Sequence, residues 1–300
     1  MLLVTGMTGH SGRYFLERLE KENYEGPIRC IVRPTSDIKA LEASKLNIEF
    51  VTGNLEDVKF ISEAMEGVTT VLSIYRIVYS IDIIEQAIAH NVERVILIHT
   101  CGMYSKYKSA SEGYLKIEKK VKELVAESEL QLTILRPTMI YGNPIDNNVI
   151  KFIKMVDKFR FFPVIDGGAS LLQPVHAQDL GNAYYDVLTN SNTIGKNYDL
   201  SGDEPITIIA FLQLIAELLG KKRSFFSVPM GIGVFMARAL KTFTIGKVDY
   251  VEKVLRLGED RSRSHEKATQ DFGFMPMPLK EGLKREIDLY LKAKKEVANR

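Results

Sequence analysis

Short apolar bursts alternate with helix-length amphipathic stretches through the first half of the chain. Leu2–Thr5, Ile28–Arg33, Ile48–Thr52, Thr70–Ile74, Arg94–His99 and Leu132–Arg136 are rich in β-branched and aliphatic residues without clean alternation. Strands buried on both faces have that pattern, which predicts a parallel sheet covered by helices on each side. Between them Ser11–Glu22, Ser36–Leu46, Glu56–Glu66, Ile81–His90 and Tyr114–Glu127 have helical length, with breaks at Gly26-Pro27 and Gly53-Asn54. Repeated β-then-α units joined by right-handed crossovers give an α/β, doubly wound fold.

After Pro137 the rhythm changes. Aromatic residues gather at Phe152, Phe159, Phe161 and Phe162, and a turn-rich stretch runs from Pro163 to Gly168. Asn197–Leu200 can return one more strand to the sheet, while 205–300 reads as largely helical, with Pro229, Pro276 and Pro278 as breaks. No repeat, low-complexity tract or flexible linker divides the chain. The expected organisation is a nucleotide-binding Rossmann unit over 1–137, with a return segment near 171–203. A smaller, interleaved substrate lobe then takes 138–170 and 204–300.

Composition narrows the function classes. Lys plus Arg number 40 and Asp plus Glu 38, a formal charge of +2. A general nucleic-acid binder needs a basic surplus gathered on one face, so that class is disfavoured. Apolar residues at 45% and charged residues at 26% are the proportions of an ordinary globular chain, not of a disordered one. Cys30 and Cys101 sit in or beside apolar runs and read as buried thiols of a reducing compartment. Met1–Gly6 is spent on a strand rather than a leader, and no apolar run approaches bilayer-spanning length. The expectation is a cytoplasmic protein.

Candidate chemistry begins where the first strand ends. Thr5-Gly6-Met7-Thr8-Gly9-His10-Ser11-Gly12 follows directly and opens a helix, with glycines spaced G-x-x-G-x-x-G. A side chain at Gly6 or Gly9 would hold the backbone away from a pyrophosphate, and Gly12 permits close helix–sheet packing. Backbone N–H groups and the positive end of the helix then face the phosphates, with Thr5, Thr8, His10 and Ser11 beside them. The strand before and the helix after favour a dinucleotide site over an ordinary turn. At the end of the second strand an acid would bind the ribose 2′-hydroxyl of NAD, whereas an arginine accommodates the 2′-phosphate of NADP. This chain has Arg33 there, with Arg13 as a second positive charge, so NADP is preferred and NAD is the alternative. Ser73 and Ile74 end the fourth strand, at the sheet edge where ligands bind in such folds.

With other motifs downstream, this loop resembles the extended short-chain dehydrogenase/reductase family, which contains nucleotide-sugar epimerases and dehydratases. Gly53-Asn54-Leu55-Glu56-Asp57 is similar to the family's G-D-L-x-D, with Asn54 in place of the usual adenine-contacting Asp and Leu55 beside it. Leu135–Gly142 resembles the L-R-P-x-x-x-Y-G segment that closes the nicotinamide site, which places Pro137 there. Gln173–Asp179 looks like the V-H-x-x-D element, and Asp271–Pro276 like the terminal L-G-F-x-P. The resemblance covers nearly the whole length. It is nearest to atypical members, including NmrA-like regulators and the NADPH-binding accessory subunit of respiratory complex I.

The family's chemistry uses a Tyr as general acid/base, a Lys one helical turn later, and a Ser or Thr that polarises the substrate oxygen. By that resemblance Thr100 takes the hydroxyl position and Tyr114, expected to open its helix, takes the Tyr position. The Lys position holds Glu118. A carboxylate near a phenol raises the phenol's pKa, the opposite of what the relay needs. Lys116, Lys119 and Lys120 do not substitute simply, although Glu118 remains able to accept a hydrogen bond from a ribose hydroxyl. On the sequence, Glu118→Lys is therefore the substitution expected to restore activity.

Other candidates are thinner. His99 reads as a core histidine, and His176 as orienting a turn with Asp179. The histidines and cysteines show no metal-ligand spacing. Arg256, Arg261 and Arg263 read as a solvated charge run rather than a diphosphate clamp. Three functional readings follow. The first is an NAD(P)-dependent oxidoreductase or epimerase/dehydratase acting on a small carbonyl or carbinol, with a sugar nucleotide among the candidate substrates and a homodimer as an open assembly. The second is a non-catalytic NADPH-binding redox sensor or assembly partner, favoured by Glu118. The third is structural association through Val228–Leu240, as a contact surface at a membrane or as core of the substrate lobe.

Overall fold

In a computed structural model that describes residues 1–144, 146, 148–244 and 249–298, the predicted bursts become strands. The first half runs β1 (Leu2–Thr5), α1 (Gly12–Lys21), β2 (Ile28–Val32), α2 (Lys39–Glu42), β3 (Ile48–Thr52) and α3 (Val58–Ala64). It continues through β4 (Thr70–Ser73), α4 (Ser80–Ala89), β5 (Arg94–Ile98), α5 (Lys108–Ala126) and β6 (Gln131–Pro137). Then come β7 (Ile140–Tyr141), α6 (Val149–Lys158), β8 (Phe161–Ile165), β9 (Leu171–Leu172), β10 (Val175–His176) and α7 (Ala177–Thr189). The chain closes with β11 (Asn197–Leu200), β12 (Ile206–Thr207), α8 (Ile208–Leu218), β13 (Ser224–Val228), α9 (Met230–Phe243), α10 (Val251–Leu255), α11 (Glu266–Phe272) and α12 (Leu279–Ala298).

Seven parallel strands in the order β11-β6-β5-β4-β1-β2-β3 make the central sheet, and the fold is α/β and doubly wound. On one face Phe15, Leu16 and Leu19 of α1 pack with Leu180, Tyr184 and Val187 of α7 over Leu2 and Val4. These two helices meet closely because of Gly181, where an added Cβ would lie 2.5 Å from that of Tyr14. The opposite face is covered by Ile61, Ile83, Ile84 and Val121 of α3, α4 and α5. A separate apolar cluster in the second half joins α6, α8 and α12 through Ile150, Ile153, Phe211, Ile215, Leu283 and Ile287.

Three local expectations need correcting. The helix expected over Ser36–Leu46 shrinks to α2. Short side chains there bond the local backbone instead: Ser36 Oγ accepts from Arg33 N, Asp37 from Lys39 N, and Ser44 Oγ from Leu46 N. β3 is not buried on both faces; as the sheet's edge it leaves Glu49 and Phe50 exposed. Finally, α5 starts at Lys108, so Tyr114 lies in its second turn rather than opening it.

Candidate nucleotide-binding and active site

β1 ends at Thr5, and the chain must turn at once to start α1 at Gly12. Gly6 makes that turn at φ +79°, a left-handed conformation that side chains resist, and a Cβ there would press on the Tyr75 amide nitrogen at 3.0 Å. Gly9 N–H donates to the Gly6 carbonyl (2.9 Å), closing the loop on itself. At Gly12 an added Cβ would lie 2.3 Å from that carbonyl, so the third glycine lets the loop itself approach the helix start. Ser11 stands at the N-cap with no side-chain capping bond, and no acid lies in the first turn. The Arg13 amide is taken by the Gly9 carbonyl (3.2 Å), but no side chain competes with an anion for the helix start. Ser11 Oγ instead shares a hydrogen bond with Tyr184 Oη (3.1 Å). Thr5 Oγ1 ties β1 to β4 through Ser73 Oγ (3.2 Å) and accepts from the Tyr75 amide (3.3 Å).

A cavity of about 360 Å³ opens over this loop. It brings Thr5, Gly6, Thr8, Gly9, His10 and Ser11 together with Arg33, Asn54, Leu55 and Ile74. Other expected residues stand outside its wall. Gly12 and the buried Ser73 support it from behind. Arg13 turns its Nε to the Thr8 carbonyl (3.4 Å), and Pro137 is buried at the end of β6, in register with Leu200. Tyr75 and Arg76, which the sequence reading passed over, complete the wall together with Ile31, Ser36 and Gly53. They directly follow Ser73-Ile74, so the strand end was the available signal. The Arg33 guanidinium lies 5.4 Å over the Tyr75 ring, which stacks on Tyr79 at 5.8 Å. His10 Nε2 is buried without a partner, and burial lowers the imidazole's pKa. A cradle closed to side chains, an uncapped helix start and this unpartnered nitrogen fit the pyrophosphate of a dinucleotide.

Around the end of β5 the arrangement differs. Thr100 and Tyr114 do converge: an added Cβ on Gly102 would lie 3.2 Å from Thr100 Oγ1 and 3.6 Å from the Tyr114 ring. Thr100 Oγ1 accepts from Gly102 N–H (3.0 Å). Glu118, however, does not face a ribose. It is 2% exposed, and its oxygens accept from His99 Nδ1 (3.1 Å), Arg136 Nε (2.9 Å), Arg136 Nη2 and Lys122 Nζ (2.7 Å). Burial pushes this carboxyl upward, but the hydrogen bonds from His99, Arg136 and Lys122 outweigh it and hold the pKa far below the carboxylate range. His99 completes its bonding through Ser80 Oγ (3.1 Å), and burial lowers its pKa. Arg136 also reaches Asp199 of β11 (3.6 Å), which accepts from the Tyr104 hydroxyl (3.1 Å). Burial pushes the Tyr104 hydroxyl up to about 12.

A second cavity, about 240 Å³, lies beside Thr100 and Tyr104 and takes in Arg256, Arg261 and Arg263. These arginines are not a solvated run. Arg261 N–H donates to the Leu171 carbonyl (2.8 Å), drawing its segment into the lobe. Its Nε and Nη2 are then buried without partners, and burial, reinforced by Arg256, lowers its pKa. Arg263 stacks over the Tyr104 ring at 4.1 Å, and Arg256 approaches Glu259 at 3.9 Å. His176 caps α7, accepting from Gln178 N–H (3.1 Å), while Asp179 accepts from Met277 N–H (3.0 Å). Among the described residues no group of three or more His, Cys, Asp or Glu is arranged to hold a metal ion.

Comparison with known proteins agrees with this geometry. The family described as NAD(P)H-binding matches residues 6–159. The chain belongs to that family. Its relationship to the extended and atypical short-chain dehydrogenase/reductases stands with it. The mitochondrial NADH dehydrogenase [ubiquinone] 1 alpha subcomplex subunit 9 of Dictyostelium discoideum is 26% identical over 71% of this chain. The chain spans 62% of that relative's length. Two solved structures share the fold. UDP-glucose 4-epimerase of Thermotoga maritima with UDP-glucose has a TM-score of 0.73 at 15% identity, covering 98% of this chain and 99% of that one. The dTDP-glucose 4,6-dehydratase DesIV of Streptomyces venezuelae, with NAD bound, has a TM-score of 0.72 at 18% identity, covering 98% of each chain.

The glycine loop of this NAD(P)H-binding chain has the cradle expected of it, while the position where the resemblance expects a cation holds a buried carboxylate bonded to Arg136, Lys122 and His99.

Proposed function

We propose that this protein binds NADP(H) as a ligand whose redox state it reads, without the tyrosine–lysine proton relay of its catalytic relatives. Bound NADPH supplies a hydride; the chain supplies the cradle and no cationic neighbour at the position that would tune Tyr114. The observation that carries this reading is Glu118, whose carboxylate is committed to Arg136, His99 and Lys122. Preference for the 2′-phosphate is supported by Arg33, Ser36 and Arg76 lining one cavity, with no carboxylate ending β2.

One observation favours turnover instead. Arg261 Nε and Nη2 are buried and unpartnered in a residue that lines one cavity with Thr100, as a site for an anionic substrate would require. The epimerase relative carries UDP-glucose, which makes a sugar nucleotide the natural first candidate. The two readings separate in one experiment. NADPH and NADH binding is measured by fluorescence titration, and nicotinamide absorbance is followed with carbonyl compounds and sugar nucleotides. Binding with no turnover across the panel is expected. Turnover of any sugar nucleotide replaces the sensor with the enzyme, and failure to bind either nucleotide overturns both.

A further inference from the structure

The helix α9 is apolar on two sides. Gly233, Val234 and Ala237 face inward, and an added Cβ on Gly233 would lie 2.6 Å from Ile165 of β8 and 3.2 Å from Val254 of α10. That seat is core, as one expectation for this stretch had it. The opposite side carries Ile232, Phe235, Met236, Leu240 and Phe243, which fall on one helical stripe. Phe235 is 72% exposed, Met236 62% and Phe243 85%. Phe161 and Phe226 of the β8–β13 pair, and Phe159 just before it, are exposed as well. A cluster of large apolar side chains of this kind marks an interaction surface rather than ordinary scatter.

Charge selects the occupant. From Leu218 to Thr244 the sequence holds Lys221, Lys222, Arg223, Arg238 and Lys241 and not one Asp or Glu. Lys158 lies 5.3 Å over the Phe159 ring, and Arg160 5.8 Å over the Phe161 ring, so exposed aromatics carry their own cations. Lys221 is paired with Asp157 and Lys241 with Asp249 (2.6 Å), which leaves Lys222, Arg223 and Arg238 of this stretch without an ion pair among the described residues. A second copy meeting this face symmetrically would bring like basic rims together. An anionic lipid headgroup layer satisfies both features, taking the aromatic stripe into its apolar margin and pairing the rim with phosphate. α9 has 14 residues, a length of about 21 Å, too short to cross a bilayer. No helix among the described residues is long and apolar enough to do so.

We infer that the outward face of α9 docks on an anionic membrane surface without spanning it. The test is flotation of the full chain with vesicles of phosphatidylcholine alone and with roughly one-third phosphatidylglycerol. Recovery is expected with the anionic vesicles, weaker recovery with the neutral ones, and partial release at about 0.5 M salt. In F235S/F243S, recovery on anionic vesicles should fall by roughly a hundredfold, because two large apolar side chains no longer enter the lipid. Both positions are exposed, so the thermal midpoint should not move and loss of fold is not the cause. K222Q/R238Q should lose the preference for anionic over neutral vesicles. No flotation with anionic vesicles, or equal flotation of F235S/F243S and the parent, overturns the inference. So does a parent dimer that F235S/F243S dissolves while neither form floats.

Discussion

The edge of the sheet over β1, β2 and β4 and the edge over β5 and β6 carry the two groups of candidate site residues, and they differ in what replaced solvent. At the first, backbone shape dominates: glycines remove Cβ atoms, no side chain caps the helix start, and the wall carries two arginines and no carboxylate. At the second, polar and charged side chains close on each other: Glu118 holds Arg136, His99 and Lys122 to itself. Holding a nucleotide and moving a proton are thus physically separable tasks. One depends on a backbone shape, the other on the charge at a single position.

The most severe way to probe this contrast is Glu118→Lys. Instead of restoring a relay, it sets a buried cation against Arg136 and Lys122. A loss of about 3–5 kcal/mol of stability is expected, the magnitude seen when one partner of a buried pair is removed. Denaturant melts measure it, and a variant as stable as the parent, with new turnover, would mean that the network is dispensable. The next effect is confined to the other edge. Arg33→Ala should weaken NADPH by roughly tenfold or more through loss of a charge-assisted contact, while NADH changes little. Equal losses for the two nucleotides would remove the 2′-phosphate assignment.

The smallest effect is a pH dependence with a defined sign. Glu118 titrates far below its ordinary value in the folded protein. Its contribution is therefore complete above the unfolded carboxylate value of about 4.3 and fades as pH falls toward the folded one. The stability gap between the parent and Glu118→Gln should be constant near neutrality and narrow in acid. A gap that widens in acid would show that the carboxylate is not the stabilising form.

How far these regions were legible follows from the same contrast. The glycine loop is a local arrangement whose spacing, preceding strand and following helix are contiguous, so its residues could be read directly. Glu118 was noticed as a departure, but only Lys122 lies one helical turn away. His99 and Arg136 arrive from β5 and β6, which no local pattern announces. Arg261 was misread for a related reason. Its burial depends on a backbone bond to Leu171, far away in sequence. Asn54 shows the reverse limit: its motif was recognised, yet its Oδ1 accepts from Glu56 N–H (3.2 Å) and so shapes a turn as well as lining the cavity.

The pairing of Arg136 with Asp199 has a consequence for how the chain can be divided. β11 joins β6 only after the polypeptide has travelled out through the second half and returned. A fragment ending at Pro137 would keep every glycine of the loop but expose the flank of β6 as an open, sticky margin. It would also leave the guanidinium one carboxylate short. The nucleotide cradle is therefore not a portable piece, and transplanting or truncating it should yield aggregate unless the returning strand travels with it.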